Sequence, residues 1–102
     1  MTHPIPTSFR LRRRKWKVLR RQRHSGPFAG VTLNAPKSIY IYDEVRGRRR
    51  TDSDKQKTFW HEATHSVLFT MEHKLAKDEK FVTQFALLLE EMVRTARFEE
   101  AP

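Results

Sequence analysis

The chain has 102 residues, a formal net charge of +9 and no cysteine. This length allows one domain with one modest core, and the lack of Cys excludes disulfides and thiolate metal sites, so any zinc must bind to His, Asp or Glu. No apolar run approaches the roughly 20 residues that span a bilayer, and residues 1–8 lack the apolar segment of a signal peptide, so the sequence predicts a cytoplasmic protein with no membrane partner.

The charge is unevenly distributed along the chain. Residues 1–50 contain 14 Lys/Arg and 2 Asp/Glu, a net +12, whereas residues 51–102 contain 7 Lys/Arg and 10 Asp/Glu, a net −3. Such an asymmetry indicates a polyanionic partner, an acidic protein partner or a basic surface that is simply solvated. The first half of the chain is therefore strongly basic, whereas the second half is slightly acidic.

The first half predicts a small sheet. Residues 1–8 contain two prolines and no periodicity, which predicts a loose N-terminus. In residues 9–20, apolar and basic side chains alternate as in a half-buried strand, with a change of phase at residues 12–15 that indicates a bulge or turn. A basic amphipathic helix is the alternative there, because Arg and Lys are good helix formers.

The strands that follow are short. Residues 24–27 form a turn signal, residues 28–33 predict a short strand, and residues 34–37 interrupt it. Residues 38–42 alternate β-branched and aromatic side chains and are the clearest strand. Two or three such strands, joined by short turns, predict a small antiparallel sheet.

Two helices are predicted after the charged loop at residues 46–50. The first runs over about residues 54–73, with Ser53 and Gln56 spaced as a capping box. After a turn at residues 74–78, a second helix runs over about residues 78–98. Its apolar side chains recur at helical spacing and form one broad face: Phe81, Val82, Phe85, Ala86, Leu88, Leu89, Met92, Val93 and Ala96. The fold class is α+β, in one domain with a flexible N-terminus (1–8), a basic β region (9–50) and a helix pair (51–98).

The first helix carries the most specific motif in the chain, His61-Glu62-Ala63-Thr64-His65. Chance gives only about 0.02 matches to H-E-x-x-H in a chain of this composition. Histidines four residues apart lie on one helix face, so both can reach one metal ion, and Glu62 can hold a metal-bound water beside the ion and take its proton. Mostly apolar and small neighbours predict that this helix is largely buried, where two His and a Glu need partners such as a metal. The alternative is a pair of surface histidines.

A catalytic zinc site needs a third protein ligand. Glu79 is the best candidate, because it opens the second helix after a short turn and an antiparallel helix pair points it back at His61 and His65. Glu90 falls on the same side of that helix but nearly three turns further along. His73 and Glu72 are the remaining candidates.

The arginine clusters suggest phosphate contacts. The candidate nucleic-acid contacts are Arg12, Arg13, Arg14, Lys15, Arg48, Arg49 and Arg50. Trp16 is either a core residue or a base-stacking residue beside them. No recognised nucleic-acid fold accompanies these clusters, so any such binding would be non-specific contact with the backbone. A solvated basic surface is the equally weighted alternative.

The second half resembles the ImmA/IrrE-like metallopeptidases and their small phage-encoded relatives. The resemblance covers about residues 38–98 and rests on residues 58–65 and on residues 78–82 leading into residues 85–88. It implies a zincin-like fold in which His61, His65 and Glu79 bind one Zn²⁺ per chain and Glu62 is the catalytic base. Thr64 departs from the family, which usually has Gly or a similarly small residue there.

These features predict a zinc-dependent metallopeptidase that hydrolyses peptide bonds in a protein or peptide substrate. The basic first half suggests that it acts near nucleic acid. Tyr40, Tyr42 and His73 are candidates for a second donor to the oxyanion, and an exposed strand edge could bind the substrate peptide. The alternative function is a basic nucleic-acid- or protein-binding module with a structural or catalytically silent zinc site.

Overall fold

The computed structural model describes residues 5–24 and 28–99, and the side chains of residues 23 and 24 are not described. Two predictions fall partly outside these residues: the loose N-terminus before residue 5 and the turn at residues 25–27. The described chain is α+β, with five strands followed by two helices. The fold class is therefore confirmed at this level.

The basic N-terminal stretch is a β-hairpin and not an amphipathic helix. Strand β1 (Ser8–Leu11) pairs antiparallel with β2 (Arg14–His24), and Phe9 lies opposite Trp16. The change of phase in the sequence is a two-residue turn at Arg12 and Arg13, whose φ angles are 48° and 68°. A turn of this left-handed type matches the twist of the strands it joins.

The sheet is mixed and has five strands, so the prediction of a two- or three-stranded antiparallel sheet was wrong. Strand β3 (Gly30–Asn34) forms a hairpin with β4 (Lys37–Val45), and β4 then lies parallel to β2, giving the order β1-β2-β4-β3. A two-residue strand, β5 (Arg48–Arg49), pairs with the end of β4. The parallel pair could not be read from the sequence, because strand alternation does not say which strands are neighbours.

The first helix, α1 (Asp52–Thr70), covers one face of the sheet. Its Phe59 joins a core of Trp16, Val18, Ile39 and Ile41. The predicted Ser53–Gln56 capping box was wrong: Thr51 is the N-cap, and its hydroxyl accepts a hydrogen bond of 3.0 Å from the Asp54 N–H. The helix ends three residues earlier than predicted, and Glu72 follows it with a φ of 53°.

The second helix, α2 (Glu79–Thr95), packs against α1 and buries a narrower face than predicted. Val82, Ala86 and Glu90, spaced four residues apart, are buried. Phe85, Leu88 and Met92 are exposed, because α2 contacts α1 and lies beyond reach of the sheet along most of its length. Neither described helix has the length and apolar character needed to cross a membrane.

Candidate metal centre

One face of α1 presents the motif residues to a cleft. His61 and His65 are one helical turn apart, and their ring centroids are separated by 5.0 Å. His65 is buried and His61 is partly exposed. Glu62 is also buried, on the side of the helix that meets β3. The helix thus directs two imidazoles and one carboxyl towards the same cleft.

Glu79 completes this cluster from the first turn of α2. Asp78 caps that helix by accepting a hydrogen bond from the Phe81 N–H, so the helix begins at Glu79. Glu79 Oε2 lies 2.9 Å from His61 Nε2, and Glu79 Oε1 lies 2.9 Å from His65 Nε2. One ligand atom from each of the three residues lies within 4.8 Å of the others. The antiparallel helix pair therefore brings together the three residues predicted from the sequence.

The hydrogen bond of His65 Nδ1 determines what its other ring nitrogen presents to Glu79. Its Nδ1 lies 2.7 Å from the carbonyl oxygen of Ala76, and a carbonyl only accepts, so Nδ1 carries the proton. In the neutral ring, Nε2 then presents a lone pair to the Glu79 carboxylate at 2.9 Å. Two acceptors this close repel each other unless a proton or a metal ion lies between them. A histidine ligand held by a backbone carbonyl through its other nitrogen is the usual arrangement in metal sites.

The dimensions of the cluster fit zinc. Zinc forms bonds of about 2.0–2.2 Å to His nitrogen and carboxylate oxygen in tetrahedral geometry, which separates neighbouring ligand atoms by about 3.3 Å. The two His–Glu79 contacts of 2.9 Å go to different oxygens of the carboxylate, and one ligand atom from each of the three residues lies within 4.8 Å of the others, so shared binding of one ion needs a modest rearrangement of the Glu79 side chain. Two imidazoles and one carboxylate are also a donor set that catalytic zinc sites use, with one position left for water.

Glu62 is held beside the cluster by a residue of β3. Thr32 Oγ1 lies 2.7 Å from Glu62 Oε1 and 3.0 Å from the Glu62 carbonyl oxygen, and its single proton donates to one of them at a time. Burial raises the pKa of the Glu62 carboxyl above its usual range, while the Thr32 hydrogen bond and the charges of His61 and His65 oppose this shift. A carboxylate with a raised pKa accepts a proton more readily than an ordinary carboxylate does.

Glycine at position 30 allows β3 to approach α1 this closely. A Cβ on Gly30 would lie 2.9 Å from the backbone oxygen of Tyr40, 2.7 Å from Thr58 Cγ2 and 3.1 Å from Glu62 Cγ. Because the Tyr40 oxygen belongs to the sheet backbone, it cannot move aside at small cost. Gly30 and Thr32 were not singled out from the sequence, although a glycine inside a short strand often marks the close approach of another element.

The cluster opens into a cleft of about 720 Å³. Strand β3 forms one wall, α2 forms the other, and α1 forms the floor. Among the described strands, β3 pairs only with β4, so it is an edge strand bordering the cleft. Phe28, Leu87 and Phe69 make much of the lining apolar, and three cations lie at its margins, namely Arg50, Lys57 and Lys77.

The other candidate ligands lie elsewhere. Glu90 is buried and forms an ion pair of 3.0 Å with Arg94 Nε. His73 Nδ1 accepts a hydrogen bond from the Leu75 N–H, and Glu72 is exposed beyond the end of α1. Among the residues that the structure describes, only His61, His65 and Glu79 form a group close enough to share a metal ion.

The predicted oxyanion donors do not reach the cleft. Tyr40 and Tyr42 lie on β4 in alternation with the core residues Ile39 and Ile41, so their side chains project from the opposite face of the sheet. His73 follows α1 and is likewise outside the lining of the cleft. The assignments of Tyr40 and Tyr42 were wrong because the sequence does not show which face of β4 meets α1, and that of His73 was wrong because α1 ends at Thr70, before it.

The predicted nucleic-acid contacts are dispersed over the molecule. Arg12 donates to the carbonyl of Thr70 at the end of α1, and Arg50 donates to the Thr58 hydroxyl and to the carbonyl of Asp54 beside the cleft. The other predicted contacts are exposed on the first hairpin or on β5: Arg13, Arg14, Lys15, Arg48 and Arg49. Trp16 has 0 % exposure and is a core residue, so it cannot stack on a base.

Comparison with known proteins does not assign a function to this chain. No family model matches the chain, and neither the curated proteins nor the solved structures include a match. The chemistry of the cluster and the cleft is therefore the basis for a function.

Proposed function

We propose that the protein is a zinc-dependent metallopeptidase of the zincin type, related to the ImmA/IrrE-like family. One observation carries the proposal: two histidines of an H-E-x-x-H helix and Glu79 of the next helix lie around one point, with Glu62 buried beside them. His61, His65 and Glu79 would bind one Zn²⁺. A site that is purely structural has no use for a carboxyl in the position of Glu62.

The reaction is hydrolysis of a peptide bond. A zinc ion held by His61, His65 and Glu79 would supply a Lewis acid that polarises the scissile carbonyl and lowers the pKa of a bound water. Glu62 accepts a proton from the attacking water and returns it to the nitrogen of the leaving amine. Thr32 keeps Glu62 oriented for both transfers, and the Ala76 carbonyl keeps the His65 ring in the tautomer that leaves Nε2 for the metal.

The cleft is suited to an extended peptide. Strand β3 is an edge strand along one wall, so a substrate segment can add to it through backbone hydrogen bonds. Such pairing would carry the scissile bond across the floor of the cleft, over the motif residues of α1. Apolar substrate side chains would contact Phe28, Leu87 and Phe69.

The first experiment measures zinc bound per chain after zinc is supplied to the metal-free protein. We expect one zinc in the parent and in Glu62→Gln, and at least a tenfold weaker affinity in His61→Ala and in Glu79→Ala. His73→Ala and Glu72→Ala are matched controls, because they remove the same side-chain types outside the cluster, and both should bind zinc as the parent does. A parent protein that binds no zinc would overturn the proposal.

Activity is then measured by incubating the zinc-loaded protein with a proteome-derived peptide library and identifying new termini by mass spectrometry. Cleavage that is present in the parent and lost in Glu62→Gln is the expected result. If zinc binds at the cluster but no Glu62-dependent cleavage occurs, the site is structural and the alternative of a binding module with a silent zinc site replaces the peptidase.

A further inference from the structure

The sheet has a second face, which α1 does not cover. Paired residues of neighbouring strands project on the same side, so the register defines this outer face as the residues that alternate with the core. Trp16, Val18, Ile39 and Ile41 point towards α1. Within the part of the chain that the structure describes, both helices lie on that side. The exposed residues of the outer face are Arg10, Lys15, Lys17, Arg21 and Leu33, and its half-buried residues include Leu19, Val31, Tyr40 and Tyr42.

These residues separate into two parallel strips. Tyr40 and Tyr42 lie two residues apart on β4, and Val31 and Leu33 flank them on β3. Arg10 on β1 and the Lys15, Lys17 and Arg21 positions on β2 form a basic strip beside them, and all four are exposed. The outer face is thus aromatic and apolar along one half and positively charged along the other.

The two strips are already in contact. The guanidinium carbon of Arg21 lies 5.1 Å from the centroid of the Tyr40 ring, a cation–π arrangement. Residues two apart on a strand are separated by about 6.6 Å, so the rings of Tyr40 and Tyr42 follow one another along the same face of β4. A planar ligand can stack on such a ring or on the guanidinium above it.

We propose that this outer face binds single-stranded nucleic acid. The phosphates would follow the basic strip on β1 and β2, and unstacked bases would lie against Tyr40 and Tyr42 on β4. A duplex hides the faces of its bases, so a half-buried aromatic strip that reaches the surface selects for a single strand. Contacts of this kind do not read base edges, so binding is tolerant of sequence. This site lies on the opposite side of the sheet from the metal centre and does not depend on it.

Charge alone would also suit an acidic protein, and the aromatic strip distinguishes the two partners. Phosphate contacts predict a dependence of affinity on salt, with a slope of about −3 in log–log form if four cations engage a single strand. Stacking predicts an additional loss when the rings are removed, with no change in that slope. An acidic protein would show the salt dependence without a requirement for aromatic rings.

The experiment measures fluorescence anisotropy of a labelled oligothymidylate, and of a duplex of the same length, with the full chain over a range of salt. Lys15→Gln/Lys17→Gln should weaken binding to the single strand about tenfold and reduce the slope by about 1.4. Lys74→Gln/Lys80→Gln is the matched control: it removes the same charge from exposed positions beyond the sheet and should change both quantities little.

The second part of the experiment removes the tyrosine rings. Tyr40→Leu and Tyr42→Leu should each weaken binding about tenfold, while Tyr40→Phe and Tyr42→Phe retain the rings and should bind nearly as the parent does. Circular dichroism verifies that the Leu variants are folded. The proposal is overturned if the Leu variants bind like the Phe variants, if the duplex binds as tightly as the single strand, or if both lysine pairs have equal effects.

Discussion

A single hydroxyl connects the edge of the sheet to the proposed catalytic base. Glu62 is buried on α1, and Thr32 reaches it from β3 at 2.7 Å. A hydrogen bond to a charged group contributes about 1.5–3 kcal/mol, and at a proton-transfer residue it also fixes the direction in which the carboxylate lone pairs point. Thr32 is therefore a positioning residue for the proposed reaction.

Thr32→Val tests this role, because it removes the hydroxyl and nearly preserves the shape of the side chain. We expect kcat to fall at least tenfold with one zinc per chain still bound, since Thr32 touches Glu62 and none of the proposed ligands. Thr32→Ser, which retains a donor, should recover most of the rate. Equal rates for the Val and Ser variants would contradict the positioning role.

At the scale of the element, the start of α1 depends on Thr51. Its side chain accepts the Asp54 N–H at 3.0 Å, whereas Ser53 lies inside the first turn and is exposed. Thr51→Ala should reduce the free energy of unfolding by about 1 kcal/mol, as loss of an N-cap usually does. Ser53→Ala should stay within about 0.5 kcal/mol of the parent. Urea denaturation of both variants decides between this cap and a capping box at Ser53.

A second element-level contact links β2, β4 and α1 through Asp43. Its carboxylate lies 2.8 Å from Arg20 Nη2 and 3.3 Å from Lys55 Nζ. The Arg20 hydrogen bond, with a smaller contribution from Lys55, lowers the pKa of Asp43 below its usual value, although partial burial opposes this. A depressed folded-state pKa means that the stabilisation is complete above the unfolded-state pKa of about 3.9 and is lost as the pH falls through the folded-state value.

Asp43→Asn should therefore cost up to about 1 kcal/mol at neutral pH, a modest value because the side chain is about one-third exposed. The difference from the parent should shrink as the pH falls from about 4 towards the lowered folded-state pKa, where the parent carboxylate itself becomes protonated. Asp52→Asn is the control: Asp52 is 83 % exposed and lies 3.6 Å from Lys55, so little change is expected. Urea denaturation at neutral and acid pH measures both.

At the scale of the whole molecule, the proposed metal site joins α2 to α1. Helix α2 buries only a narrow face against α1, and Glu79 is its contribution to the cluster. A ligand that binds only the native state stabilises it by about 2.7 kcal/mol at one hundred times its Kd. Zinc bound across the two helices would therefore stabilise their packing as well as supply the chemistry.

Thermal denaturation measures this linkage. We expect saturating zinc to raise the Tm of the parent and of Glu62→Gln by roughly 10–20 °C, and a chelator to reverse the change. The same zinc should change the Tm of His61→Ala much less. A rise in His61→Ala as large as in the parent would mean that zinc stabilises the protein from another site.

The sequence by itself determined the position of the motif and the order of strands before helices. His61, Glu62 and His65 could be identified because a helix converts their spacing into one face, a local property that needs no knowledge of the rest of the fold. Glu79 could be selected because a short turn between two helices makes them antiparallel. Each of these inferences depends on residues close together in the chain.

Only the tertiary structure decided which distant strands are neighbours and which face of the sheet meets α1. The parallel pairing of β2 with β4 makes β3 an edge strand beside the cleft and places Thr32 on Glu62. The same register buries Trp16 and moves Tyr40 and Tyr42 to the outer face. Alternation along a strand fixes two faces but not which of them is covered, because burial depends on elements far away in sequence.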